Sequence, residues 1–170
     1  VYSTAVEQDT PEVRAARHLG LELVPRPALL AEVVNAAQPG VAVAGTSGKS
    51  TITGMLGWIL RSAGVEHTLL GGAALVGEEG AGGFAPGSRG TTVVAEACES
   101  DGTLVGYRPA LGIIHNISRD HGELAQIRAQ FETFAGQCGL LLINRGCPEA
   151  RTLKAARCIT YGTDGPCDAP

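Results

Sequence analysis

Basic side chains are scarce in this sequence and never cluster. Thirteen Lys and Arg stand against 17 Asp and Glu, a formal charge of −4 over 170 residues, so there is no cationic stripe of the kind that engages nucleic acid or acidic membrane surfaces. Long apolar runs are missing as well, which excludes a membrane-spanning helix. No basic stretch followed by an apolar one opens the chain, so nothing marks it for export. With one Trp, three Tyr and three Phe, the core must be built mainly from Ala, Val, Leu and Ile. The cysteines, Cys98, Cys138, Cys147, Cys158 and Cys167, are odd in number and lack C-x-x-C or zinc-finger spacing. Reduced thiols of a cytoplasmic protein are the expectation. The chain starts inside an apolar run without an initiator Met and reads as an excerpt, yet 170 residues suffice for about one domain with a sizeable core.

One lysine precedes Lys154, and it lies in Ala44-Gly45-Thr46-Ser47-Gly48-Lys49-Ser50-Thr51. Before this stretch the apolar Val41 to Ala44 fits a buried strand; after it, Ile52 to Leu60 has apolar residues at helical spacing. A strand, a glycine turn and a helix N-terminus present unpaired backbone N–H groups and a partial positive charge, which together favour a phosphate. Gly45 and Gly48 permit positive φ and close approach, Lys49 adds a mobile charge, and Ser50 offers a hydroxyl to magnesium. The usual G-x-x-x-x-G-K-[ST] loop would need glycine where Val43 stands, so this one is the shorter G-x-x-G-K-S. The competing reading is an ordinary Gly/Ser turn with a solvated lysine, and the flanking strand and helix weigh against it.

In chain order, Val1 to Glu7 suggests a strand. Asp9 or Thr10 caps a helix opened by Pro11 and stopped by Gly20, and Leu21 to Val24 suggests a short strand. A helix Pro27 to Ala37 follows with Leu29, Leu30, Val33 and Val34 on one face, and Gln38-Pro39-Gly40 breaks it. Beyond the loop helix come a strand Glu66 to Leu70 and a glycine-rich loop or hairpin Gly71 to Gly90, with a lid as the lesser alternative. Next are a strand from Thr91 to Val94 and another from Leu111 to Ile114. A helix through Ile127, Phe131 and Phe134 leads to a strand Leu140 to Ile143, a short helix Pro148 to Ala156 and a last strand near Cys158 to Tyr161. This alternation predicts an α/β fold, a P-loop NTPase-like parallel sheet flanked by helices.

In such a sheet ligands gather at the carboxyl ends of the strands. Three ends carry polar chemistry: Gly45 to Ser50, Glu96 to Asp101, and Asn116 to His121. Magnesium prefers oxygen ligands and bridges terminal phosphates, and Glu96 is the first choice for its carboxylate. Glu99 and Asp101 compete; for Asp101, capping the helix after Ser100 is the favoured role. On its own context His121 is more readily a hydrogen-bonded histidine than a metal or phosphate ligand.

These three segments resemble the Mur ligases. The loop matches their short A-G-T-x-G-K-[ST]-[ST] form; Glu96-Ala97-Cys98-Glu99-Ser100-Asp101 is similar to the E-A-D-E-S-D of the UDP-N-acetylmuramate:L-alanine ligase branch; and Asn116-Ile117-Ser118-Arg119-Asp120-His121 is similar to its T-N-I-x-x-D-H. Their separations match too, and Thr10-Pro11-Glu12 resembles the branch's entry into its central domain. The resemblance implies a Mur ligase central ATP-binding domain over 40–170, incomplete, preceded by an N-terminal-domain tail and linker over 1–39 and lacking the C-terminal domain. It implies ATP and Mg²⁺ as cofactors. The implied reaction phosphorylates a carboxylate, such as that of UDP-N-acetylmuramate, and an amino acid's amine attacks the acyl phosphate, a step of peptidoglycan precursor synthesis. The implied catalytic residues are Lys49, Glu96 and His121, and the implied metal ligands Ser50, Glu96 and His121. Nucleotide contacts fall to Gly45, Thr46, Ser47, Gly48, Lys49, Ser50, Thr51 and Asn116, with Asn116 and Asp120 supporting the ligands. Several relatives carry a carbamylated lysine after the His121 position; the absence of lysine between Lys49 and Lys154 agrees with the alanine-adding branch. Departures are Cys98 for Asp, His115 for Thr, and Gly122-Glu123-Leu124 after His121. The family's nucleotide-sugar motif and amino-acid domain are not in the sequence, so the chain alone is expected to turn over little. A silent Mg-nucleotide module and a P-loop small-molecule kinase are the alternatives.

Overall fold

Strand β1 (Gly40–Ala44) is buried along its whole length. It lies at the centre of a seven-stranded sheet in the computed structural model, which describes residues 1–3, 9–76, 82–118, 124–163 and 168. The others are β2 (His67–Leu70), β3 (Phe84–Ala85), β4 (Thr92–Ala97), β5 (Leu111–Ile114), β6 (Leu140–Asn144) and β7 (Cys158–Tyr161), in the order β3-β2-β4-β1-β5-β6-β7. All neighbours run parallel except β2 with β3, which form a short antiparallel pair at Leu69–Ala85 and Leu70–Phe84. Helices α1 (Pro11–His18), α2 (Arg26–Ala36), α3 (Lys49–Ser62) and α4 (Leu124–Gln137) complete the described elements, with 3-10 turns at Thr103–Gly106 and Ala150–Thr152.

The two-residue period of the strands divides the core into layers. Val41, Val43, Leu69, Val94 and Ile113 pack on one face with Ile52, Leu56 and Leu60 of α3. On the other, Ala42, Ala44, Ala95, Ala97, Ile114, Leu141 and Ile143 meet Ala31 and Val34 of α2 and Ile127, Phe131 and Phe134 of α4. Covered on both faces, the central strands read as continuous apolar runs instead of alternating ones. The large side chains of the second layer come chiefly from α4 and the turn, where Phe131, Phe134 and Leu104 are wholly buried. Each such side chain contributes on the order of 2–3 kcal/mol of burial.

Local chemistry sets the helix starts as expected. Thr10 caps α1, its hydroxyl accepting from Val13 N at 3.4 Å, with Pro11 in the first turn. Asp101 caps the turn after Ser100: its Oδ1 accepts from Thr103 N at 3.1 Å and from the Thr103 hydroxyl.

Three expectations are corrected. Leu21 to Val24 forms no strand; among the described residues the pairing there is an isolated bridge of Tyr2 with Pro25, where Tyr2 N donates to Val24 O at 3.0 Å. Of the strand expected over Val1 to Glu7 only residues 1–3 are described, Tyr2 forming that bridge, and residues 4–8 lie outside the described set. On α2 the buried face is Pro27, Ala31 and Val34, while Leu29 and Val33 are 38% and 39% exposed. A helix apolar on nearly every side gives no periodic signal for its inner face, and here the smaller residues face the sheet. Finally, Pro148 to Ala156 supplies only the turn Ala150–Thr152, because the chain must extend from Leu153 to reach β7. The glycine-rich stretch proves to be a hairpin through β3, with residues 77–81 outside the described set.

Candidate phosphate site

β1 lies between β4 and β5, so the three polar strand ends meet at one edge of the sheet, where the chain's path reverses direction across it. Gly48 is the cap of α3 with φ of +77°, a conformation that an L side chain resists. From the β5 end, Asn116 clamps the loop. Its Oδ1 accepts from Thr46 Oγ1 and from Ser47 N, each at 2.9 Å, and its Nδ2 donates to Ser47 O at 3.1 Å and to Ser47 Oγ at 3.0 Å. Thr46, 7% exposed, also bonds Ser118 Oγ at 2.8 Å and accepts from Ser118 N at 3.1 Å. The turn is therefore fixed before any ligand arrives.

Strand parity decides where the carboxylates point. Glu96 shares the face of Val94 and Val43, the α3 face, and accepts from Ser50 Oγ at 2.9 Å through Oε2. Gly72 N donates to the same oxygen at 2.8 Å. A Cβ on Gly72 would sit 2.6 Å from that oxygen, so a side chain there would push the Glu96 carboxylate aside. Glu99 turns to the lysine instead: Lys49 Nζ donates to Glu99 Oε2 at 3.0 Å and to Gly45 O at 2.6 Å. The pair is buried, with side chains 11% and 7% exposed.

The expected residues Gly45 to Thr51, Glu96 and Asn116 thus come together, with Thr51 exposed on the first turn of α3. His121 and Asp120 lie outside the described residues. Glu99 enters as the partner of Lys49, a role that its rivalry for magnesium did not anticipate. Gly72 and Ser118 carried no signal of their own. His115 Nδ1 and Tyr161 OH share a hydrogen bond at 3.1 Å across 46 residues. Burial pushes the Tyr161 phenol up to about 12, so it keeps its proton. Among the described residues no group of three or more His, Cys, Asp or Glu could hold a metal by itself. The Ser50 hydroxyl and Glu96 carboxylate are hard oxygen donors of the kind Mg²⁺ takes, alongside phosphate oxygens and water.

Comparison with known proteins adds the deciding observation: the Mur ligase middle domain family matches residues 43–168. The chain belongs to that family. The Mur ligase relatives include the UDP-N-acetylmuramate–L-alanine ligase of Synechococcus sp. strain RCC307, 40% identical over 152 residues, covering 87% of this chain and 31% of that protein. The protein of the same name from Aquifex aeolicus is 35% identical and is covered to 38%, with 98% of this chain aligned. The chain thus spans about a third of the length of these relatives. Among solved Mur ligase structures, the UDP-N-acetylmuramate-alanine ligase of Thermotoga maritima superposes with a TM-score of 0.80 at 23% identity, over 96% of this chain and 38% of that one. A murein peptide ligase of Psychrobacter arcticus gives 0.72 at 22% identity, over 92% and 38%. Both share the fold. No helix among the described residues is long and apolar enough to cross a membrane.

Proposed function

We propose that this chain is the ATP-binding part of an ADP-forming carboxylate–amine ligase. It would activate the carboxylate of UDP-N-acetylmuramate as an acyl phosphate for attack by an amino acid, alanine being the one named in its relatives. In this reading residues 1–39 end a preceding domain and linker, residues 40–170 are the middle domain, and the work is done in the cytoplasm. The observation that carries it is the Ser50–Glu96 pair, held by Gly72 N beside a clamped glycine loop, in a chain of the Mur ligase family.

The chemistry asks little covalent help from the protein, because phosphoryl transfer is mostly positioning and charge neutralisation. The loop N–H groups and the α3 N-terminus would receive the β- and γ-phosphates. Lys49 would exchange Gly45 O and Glu99 for phosphate oxygens, keeping its charge compensated throughout. Ser50 and Glu96 would hold Mg²⁺, which neutralises phosphate charge when bound. Asn116 would act through Ser47 and Thr46, by holding the loop. His121 and Asp120 would complete the acceptor side, as in the family motif.

The test is an isotope experiment on this chain joined to the flanking regions of the Aquifex aeolicus relative, with ATP, magnesium, alanine and UDP-N-acetylmuramate labelled with 18O in its carboxylate. Label appearing in inorganic phosphate is the expected result. A stable phosphorylated product without label transfer would mean a kinase. Tight ATP binding without acceptor-stimulated ADP release, while the parent relative turns over, would mean a silent nucleotide module.

A further inference from the structure

Beside Glu96 the strand ends open into a cavity of about 160 Å³ whose polar walls are Arg26, Glu96, Cys98, Asp101 and Tyr107. Most of its polar atoms are committed. Glu96 receives Ser50 and Gly72, Asp101 Oδ1 receives Thr103, and Cys98 Sγ lies 2.9 Å from Ser100 Oγ. Two groups are not. Tyr107 is 1% exposed, yet among the described residues its hydroxyl has no hydrogen-bond partner, and the Arg26 guanidinium, at the first turn of α2, has neither hydrogen bond nor ion pair there. Tyr107 lines the cavity, and polar groups in such sheltered places are almost always hydrogen-bonded, so an unpartnered hydroxyl here points to a ligand. Burial, then the Asp101 carboxylate, push the Tyr107 phenol well above its ordinary range, so its oxygen keeps its proton and can donate. Both idle groups are therefore donors, and the missing partner is an acceptor.

We propose that Arg26 and Tyr107 form a subsite for the carboxylate end of the acceptor, next to the phosphate loop. This rests on the ligase reading above and adds the residues that would recognise the acceptor. Glu96 and Asp101 oppose an anion here, so the subsite strengthens once the Glu96 charge is offset by a bound Mg-nucleotide. A second cavity of about 360 Å³ shares Arg26, Leu30, Leu70 and Gly71 and is walled by Leu29, Val33 and Phe84. It gives the rest of the acceptor an apolar bed, and it accounts for the outward Leu29 and Val33.

Only three tyrosines are present, Tyr2, Tyr107 and Tyr161, so ring-labelled tyrosine gives a three-signal NMR spectrum. The chain is titrated with N-acetylmuramate and with N-acetylglucosamine, which lacks the lactyl carboxylate, with and without Mg-ADP, whose binding is followed by 31P shifts in the same sample. The Tyr107 signal is expected to shift saturably with the first sugar alone. Its apparent Kd should fall with Mg-ADP present and rise at least fivefold in Arg26→Gln. Nucleotide binding with a Tyr107 signal that ignores both sugars, follows both equally, or is indifferent to Arg26→Gln overturns the subsite and leaves the ligase reading standing. A Tyr107 response without nucleotide binding supports the subsite and overturns the ATP reading.

Discussion

Lys49 is held by Gly45 O and Glu99 in a buried pocket, and this makes it a stability element as well as the proposed phosphate ligand. Removing one member of a buried pair strands the other charge. Lys49→Ala is expected to destabilise the chain by about 3 kcal/mol. Removing both with Lys49→Met and Glu99→Leu should recover much of that loss, since a buried pair often breaks even against apolar replacements of similar size. Urea denaturation of the single and double variants measures the coupling, and strictly additive losses would contradict it. The division of labour between Glu96 and Glu99 was not legible in the sequence. The loop itself was, because its chemistry is local: glycines, lysine and serine lie within a few residues between a strand and a helix. Which of two carboxylates three residues apart faces Ser50 and which faces Lys49 depends on strand parity and on where the chain turns after Ala97. For the same reason Gly72, set beyond β2, could not be assigned to Glu96.

Elements with strong periodicity were legible and those without it were not. α4 shows its buried face as Ile127, Phe131 and Phe134, whereas α2, apolar nearly all round, concealed that Ala31 and Val34 face inward. The alternating Leu21 to Val24 forms no strand with any described residue, because a strand needs a neighbour as well as a pattern. Just past the end of α4, Cys138 is buried with Sγ 3.2 Å from Phe134 O. Burial raises its thiol from 9.0 to about 12. A raised folded-state value means that the folded chain holds a proton the unfolded chain has lost. The stabilisation is complete below about pH 9 and fades as pH climbs toward 12. By pH 10.5 the loss amounts to about 2 kcal/mol. Chemical denaturation at pH 8 and pH 10.5 should show wild type losing that much more than Cys138→Ala, with the tyrosine contributions common to both. Parallel losses would contradict it.

At the scale of the whole molecule, the seven strands and four helices among the described residues put their polar residues at one edge because β1 sits between β4 and β5. The strand order was not legible; the parallel α/β class was, since strands and helices alternate. The site therefore depends on three strand ends far apart in sequence, and it should bind as a unit or not at all. The most direct measurement is titration calorimetry of the chain with ATP, with magnesium and then with EDTA, repeated on Gly72→Ala. One ATP per chain is expected, with affinity falling at least tenfold in EDTA and again at least tenfold in Gly72→Ala, whose new methyl displaces Glu96 from Ser50, while the melting temperature stays within a few degrees. Absence of ATP binding, or binding indifferent to both magnesium and Gly72→Ala, would contradict the phosphate site at Gly45 to Thr51.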